Sequence, residues 1–239
     1  MTVVAAALAE AKRVQLAASL AEAKRALRRA LRATPPLDAA AQSEAIAVRV
    51  AALPLFAGAR ALAVYIAMPG GREADPGGLL AAAAARGARV YAPAVLGPAP
   101  HEMVMRRIAS AGAVAGFRAG AFGIPEPPPS LQEAAAAAAG VADGGGAGDA
   151  LEDDEMGCVV VPGAGFDAGC RRIGHGRGYY DAFLARAAAA AAARGRPPPF
   201  TVGLCLREQL VEEVPVGADD VLLDAVVTPD ATYFRWRDS

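Results

Sequence analysis

A chain of 239 residues can bury one sizeable core or divide into two small ones. Its 24 Lys and Arg against 25 Asp and Glu leave a formal net charge of −1, which excludes the basic excess of a nucleic-acid-coating protein and makes any anion binding local. Apolar residues reach 54%, much of it alanine, and no stretch attains membrane-span length without glycine, proline or charge.

Met1 to Ala33 is strongly helix-forming, and Thr34-Pro35-Pro36 ends the run. LAEAKR occurs twice within it, at Leu8–Arg13 and Leu20–Arg25, and Glu10 and Glu22 interrupt what would otherwise read as a basic transit leader. Residues 1–20 are therefore an alanine-rich extension or a leader, and 21–239 a single α/β domain. A cytoplasmic location is expected, with mitochondrion or plastid the alternative if the first segment is a leader. Asp38 is placed to cap a second helix whose buried stripe is Ile46, Val50 and Leu53. Ala61–Ala67 is a short apolar run that suits a strand covered on both faces. After a Pro-Gly-Gly loop come a helix from about Gly78 to Ala85, a strand at Arg89–Val95 and another at Met103–Ile108. Cys158–Val161 and Val202–Leu206 repeat the strand pattern, with a helix at Tyr179–Arg194 between them.

This alternation predicts an α/β fold, a mostly parallel sheet flanked by helices in three layers. Low-complexity insertions are expected near 133–150 and 187–199, and neither should carry chemistry. The three cysteines, Cys158, Cys170 and Cys205, are odd in number and lack a CxxC pattern, which predicts reduced thiols in an intracellular compartment. Cys158 and Cys205 sit in apolar runs and read as small core residues.

The most informative stretch is VVVPGAGFDAGCRRIGHGRGYYDAFLAR, from Val159 to Arg186. A buried strand stops at Pro162, and a loop with six glycines leads to a helix opened by Tyr179-Tyr180-Asp181. A glycine-rich loop at a helix N-terminus lets backbone N–H groups and the helix dipole converge on an anion. Arg171, Arg172 and Arg177 add full charges able to grip phosphate. The loop lacks the Lys-Ser/Thr of a Walker A motif, and its GxGxG is not the dinucleotide GxGxxG. Taken alone it reads as a phosphate cradle or as a structural turn.

Val160 to Asp181 resembles the signature of the 5-formyltetrahydrofolate cyclo-ligase (methenyltetrahydrofolate synthetase) family. The matching residues are Pro162-Gly163, Phe166-Asp167, Arg172-Ile173-Gly174 and Gly176-Arg177-Gly178-Tyr179-Tyr180-Asp181. Elsewhere Lys24 and Arg28 match the family's Lys-x-x-x-Arg helix, and at i, i+4 they share one face. Glu73 and Asp75 stand at its Glu-x-Asp-Thr motif, with Pro76 in place of threonine. Phe122 to Pro127 resembles Gly-Ile-x-Glu-Pro, and Gln209, Pro215, Asp220 and Asp224 match the terminal pattern before Val227-Thr228. The resemblance thus spans Lys24 to Thr228 in the expected order.

What the resemblance implies is an enzyme converting 5-formyltetrahydrofolate and ATP to 5,10-methenyltetrahydrofolate, ADP and phosphate. Arg172, Arg177 and Tyr179 are the implied catalytic residues. ATP would be held by Lys24, Arg25 and Arg28 together with Arg172, Gly174, His175, Gly176, Arg177, Gly178, Tyr179 and Tyr180. The folate would meet Met68, Glu73 and Asp75, with His175, Gly176 and Tyr179. Mg2+ is implied at Asp181 and Asp220, hard carboxylates suited to an ion that keeps its waters and bridges phosphates. His175 occupies a position that varies in the family, and His101 has no such context. Expected partners are the two small-molecule substrates, with no nucleic acid, no membrane and a monomeric chain. Two other readings remain: a non-catalytic folate- or nucleotide-binding protein, and a different phosphate-handling α/β enzyme such as a sugar-phosphate isomerase, which would act without ATP.

Overall fold

The computed structural model describes residues 3–120, 123–128 and 149–236; Phe122 and all but the last two residues of the 133–150 run lie outside the described residues. Short apolar runs become the strands β1 (Ala61–Val64), β2 (Arg89–Val95), β3 (Met103–Ile108), β4 (Met156–Val161) and β5 (Phe200–Leu204). β6 (Ala225–Val227) and β7 (Thr232–Phe234) follow. Among the described residues they make one sheet in the order β7-β6-β5-β4-β1-β2-β3. The five inner strands run parallel, and β7 and β3 close the two edges antiparallel.

Successive strand residues point to opposite faces, and this sequence buries both. Leu62, Val64, Val160, Val202 and Leu204 pack with Ile46 and Val50 of α2 (Ala39–Ala51) and Leu79 of α4 (Gly77–Ala85). Ala61, Ala63, Val159, Val161 and Val226 join Phe183 and Leu184 of α5 (Tyr179–Ala193) on the other side. The expected three layers are thus present.

Several boundaries differ from the sequence reading for identifiable reasons. Asp38 does cap α2, its Oδ1 accepting the Ala41 N–H at 3.2 Å, but α2 stops at Ala51. Leu53 therefore lies past its end, only partly buried, where Pro54 opens the single turn α3 (Pro54–Ala57). Tyr65 and Ile66 are buried yet have left the sheet, which shortens β1. β5 begins two residues early, and Cys205 and Leu206 are buried beyond its end. Residues 187–193 form the alanine-rich end of α5, with Ala187 in the core. α1 (Val3–Ala33) is the long helix expected of the alanine-rich first segment. All three thiols are free and buried, and burial pushes Cys158 up to about 12 and Cys170 up to about 11.

The chain order across the sheet places the site. β1 hands on to α4 on one face, and its neighbour β4 hands on to α5 on the other. At the carboxyl ends of β1 and β4 the two connections diverge, and a crevice of that kind is where ligands enter open α/β sheets.

Candidate functional site

One wall of the crevice is the loop after β4. Its stem is a small antiparallel hairpin, Gly165–Phe166 against Arg172–Ile173. The turn between them is built on Asp167, whose side chain is fully buried. Asp167 Oδ1 accepts the N–H groups of Gly169 (2.9 Å) and Arg171 (3.1 Å), and Oδ2 accepts that of Val214 (2.8 Å). Arg171 Nε lies 2.7 Å from Oδ2, so the carboxylate is neutralised as well as bonded. Asp167 thus holds the turn together and ties it to Val214. Beyond the stem, Gly176 (φ 102°) and Gly178 (φ 72°) adopt the left-handed conformations that glycine allows at no steric cost. Gly178 forms the N-cap of α5, so the helix N-terminus faces the crevice with Asp181 in its first turn.

The stem also aims Arg172 at that first turn. Its side chain is 4% exposed, and Nη2 donates to Asp181 Oδ1 at 2.7 Å. The same oxygen accepts the Val221 N–H at 3.0 Å, which tethers Asp181 to the residue after Asp220. Arg172 Nε and the Tyr180 hydroxyl are buried without a hydrogen-bond partner. Burial, followed by the negative charge of Glu73, pushes the Tyr180 hydroxyl far above the usual phenol range, so it is a donor at any physiological pH.

α1 forms a second wall. Lys24 Nζ pairs with Asp220 Oδ2, and one turn on Arg28 Nε donates to the Gly174 carbonyl at 2.8 Å. The Arg28 guanidinium faces the open side of Gly176, its Cζ 3.6 Å from where a Cβ on that residue would stand. Arg72 Nη1 donates to the Arg32 carbonyl at 2.8 Å and fixes the helix end. Arg25 and Arg177 are both exposed, and Arg25 is turned about 100° around α1 from Lys24.

The third wall is the loop after β1. Glu73 is buried; its Oε2 accepts the Met68 N–H and its Oε1 meets His175 Nε2, each at 3.1 Å. Asp75 does not join this bridge. It is exposed, its Oδ1 accepts the Gly77 N–H at 2.9 Å, and its own N–H donates to Ser43 Oγ at 2.9 Å. Asp75 thereby serves the start of α4, where Pro76 stands at the N-cap with no side-chain oxygen to offer.

Two contributors were not among the expected site residues. Gln209 is buried and ties two walls together, its Nε2 donating to Gly163 O (2.8 Å) and Arg72 O (3.0 Å) while Oε1 accepts the Leu206 N–H (3.0 Å). Its place in the terminal sequence pattern was the available signal. The β2–β3 connection is the other: Tyr179 Oη donates to Gly97 O at 3.0 Å, and Pro100 lies against Gly178. Nothing in its composition marks it out. Among the described residues no group of three or more His, Cys, Asp or Glu could by itself hold a metal ion.

Comparison with known proteins bears on the family and the fold. The model of the 5-formyltetrahydrofolate cyclo-ligase family matches residues 11–229. A probable 5-formyltetrahydrofolate cyclo-ligase of Schizosaccharomyces pombe is 30% identical over 194 residues, which cover 79% of this chain and 84% of that protein. The 5-formyltetrahydrofolate cyclo-ligase of Saccharomyces cerevisiae is 28% identical over 207 residues, 81% and 87% of the two chains. The fold matches that of Aquifex aeolicus 5,10-methenyltetrahydrofolate synthetase with a TM-score of 0.61, at 24% identity, covering 92% of this chain and 94% of that one. With its signature loop, its docked first helix and a match of this extent, the chain belongs to the 5-formyltetrahydrofolate cyclo-ligase family.

Proposed function

We propose that this cyclo-ligase binds ATP and 5-formyltetrahydrofolate together in the three-walled crevice and closes the folate ring at the expense of the γ-phosphate. The observation that carries the reading is the convergence of Lys24 and Arg28 on Asp220 and Gly174, contacts between residues 196 and 146 positions apart. An alanine-rich surface helix has no need to direct its cations there unless an anion is to be met.

The chemistry explains the demand for ATP. A formamide oxygen is a poor leaving group and the second folate nitrogen a weak nucleophile. Transfer of the γ-phosphoryl group to the formyl oxygen converts it into a phosphate leaving group. The second nitrogen then attacks the formyl carbon and gives up its proton to the departing phosphate or to water, the C–O bond breaks with loss of phosphate, and the methenyl bridge remains. Such a reaction asks the protein for position and charge rather than for a strong base. In this reading Lys24, Arg28 and the exposed Arg177 hold the phosphates, and Arg172, anchored on Asp181, faces the transferring group. Gly176 and Gly178 let the loop backbone approach the nucleotide closely. The Tyr180 hydroxyl, buried and unpartnered, is directed to a ligand acceptor, while Tyr179 is held by Gly97 beside it. Met68 and Glu73 line the folate half, and Asp75 acts by shaping that loop.

Asp181 and Asp220 fit a Mg2+ of the kind held by one or two carboxylates, waters and substrate phosphates. The bond from Val221 to Asp181 keeps the two carboxylates neighbours, and the bonds described fall on one oxygen of each. Bound there, the ion would neutralise phosphate charge; ligand entry would then exchange the Lys24–Asp220 pair for a Lys24–phosphate pair. A monomeric, cytoplasmic protein is part of the same proposal; among the described residues no helix is long and apolar enough to cross a membrane.

The test mixes protein, Mg-ATP and 5-formyltetrahydrofolate and follows the methenyl absorbance. Product that appears only with ATP supports the reading. Binding of both ligands without ADP release would establish the non-catalytic alternative instead.

A further inference from the structure

Phosphate binding leaves the His175–Glu73 bridge unexplained. We infer that His175 is a positioning residue for the folate half of the site, acting through the Glu73 carboxylate and not on ATP; this rests on the proposed function.

The geometry favours Glu73 over phosphate as the partner of this ring. An ionised carboxylate only accepts, so His175 must present Nε2–H to Glu73 Oε1, and that proton is then spent. The His175 side chain is 48% exposed and that of Glu73 only 5%, so the ring closes off a carboxylate that would otherwise be poorly compensated. The Met68 N–H holds the other oxygen, and two bonds to different oxygens fix the plane of the carboxylate. Each oxygen keeps further acceptor capacity for ligand N–H groups. The aim of the ring is fixed by its neighbours: the carbonyl of Gly174 is held by Arg28 Nε, and Gly176 takes its φ of 102° against the Arg28 guanidinium. Thus α1 sets the glycine loop, the loop sets His175, and His175 sets Glu73 in a loop 102 residues earlier in sequence.

The experiment compares full-length wild type, H175A, H175Q, E73Q and H175A/E73Q, measuring KM for each substrate separately with the methenyl assay. A charge-assisted hydrogen bond of this kind predicts a rise in folate KM of about 10-fold in H175A. The ATP KM should be unchanged, and kcat should fall less than the folate KM rises. H175Q, whose amide N–H can reach Glu73 as Nε2–H does, should recover most of the loss. In the E73Q background, where the amide keeps one acceptor oxygen but no charge, H175A should add less than it does in the wild type. If H175A does not fold, H175N, too short to reach Glu73, takes its place. A rise in ATP KM with an unchanged folate KM would make His175 a phosphate ligand and overturn the inference. Additive effects with E73Q, or no effect at all, would do the same. Wild type that makes no methenyl product overturns the proposed function and this inference with it, an outcome distinct from normal turnover without the KM split.

Discussion

Charge collects at both ends of the parallel strands, and the two ends are built differently. At the amino end Arg89 opens β2, and Asp153 and Glu155 lead into β4. Arg89 grips both Asp153 oxygens at 2.8 Å and reaches Glu155 Oε2 at 2.9 Å. Tyr91 Oη donates to Asp153 Oδ2 at 2.7 Å, and Arg60 reaches Glu155 Oε1 at 2.9 Å. At the carboxyl end Arg172 meets Asp181 through one 2.7 Å bond while its Nε, though buried, lacks a partner; Lys24 makes one bond to Asp220, and His175 one to Glu73. A saturated bidentate network is a staple. Single bonds beside unsatisfied buried donors mark a place where another acceptor belongs, and that is the character of a binding site.

The sharpest way to break the contrast is at the carboxyl end. Arg172→Ala or Asp181→Ala should lower kcat by at least about 100-fold, the scale of removing one preorganised electrostatic group. Methenyl absorbance at saturating substrates measures it, with circular dichroism to establish folding, because half of a largely buried ion pair is left behind. Retained activity would show that this end is a staple too. A smaller effect is expected of Lys24→Ala: a rise of about 10-fold in ATP KM, with the folate KM little changed, since its carboxylate partner is 20% exposed and partly solvated.

How much of this was legible in the sequence differs between the ends in the same way. β2 and β3 carry buried residues over six or seven positions, enough for a pattern, and their boundaries follow from the sequence. β6 and β7 span three residues each, too short for any period, and they owe their place to pairing with β5 and with each other. In the site, glycines and arginines crowded before a helix announced the loop of residues 174–178 locally. The docking of Lys24 and Arg28 was suggested only by resemblance, because a basic pair on an alanine-rich helix is usually solvated. Gln209 had only its place in the terminal pattern to mark it, and the resemblance set His175 and Glu73 on the folate side without giving their meeting, since each is a contact across the fold between segments whose local sequences do not refer to one another.

Between the extremes lies Gln209→Ala. It removes both Nε2 bonds and leaves the carbonyls of Gly163 and Arg72 and the Leu206 N–H without that partner, which should cost about 2 kcal/mol in denaturant unfolding. Because Arg72 precedes Glu73, folate KM should rise as well. Stability lost with folate KM unchanged would mean that Gln209 only staples. Arg89→Ala should cost a similar or smaller amount, about 1–2 kcal/mol, since Arg89 is 32% exposed while Asp153 is 7% exposed. Its kcat should match that of wild type, because the cluster lies at the far end of the strands from the crevice.

The least of these effects separates the ends by pH alone. Burial would raise the Asp153 carboxyl, but hydrogen bonds from Arg89, Tyr91 and the Glu155 N–H outweigh it and hold the group down to about 2, against an ordinary 3.8. The folded value is the lower one, so the stabilisation from this group is complete above the unfolded value and is lost as pH falls through about 2. The difference in unfolding free energy between wild type and D153N should therefore be constant from neutral pH down to about pH 5, then shrink between about pH 4 and pH 2. Denaturant titrations across that range read it directly. A difference that changed near pH 6 instead would assign the staple to some other group, and one constant to pH 2 would mean that Arg89 and Tyr91 do not hold the carboxylate in solution as they do in the fold.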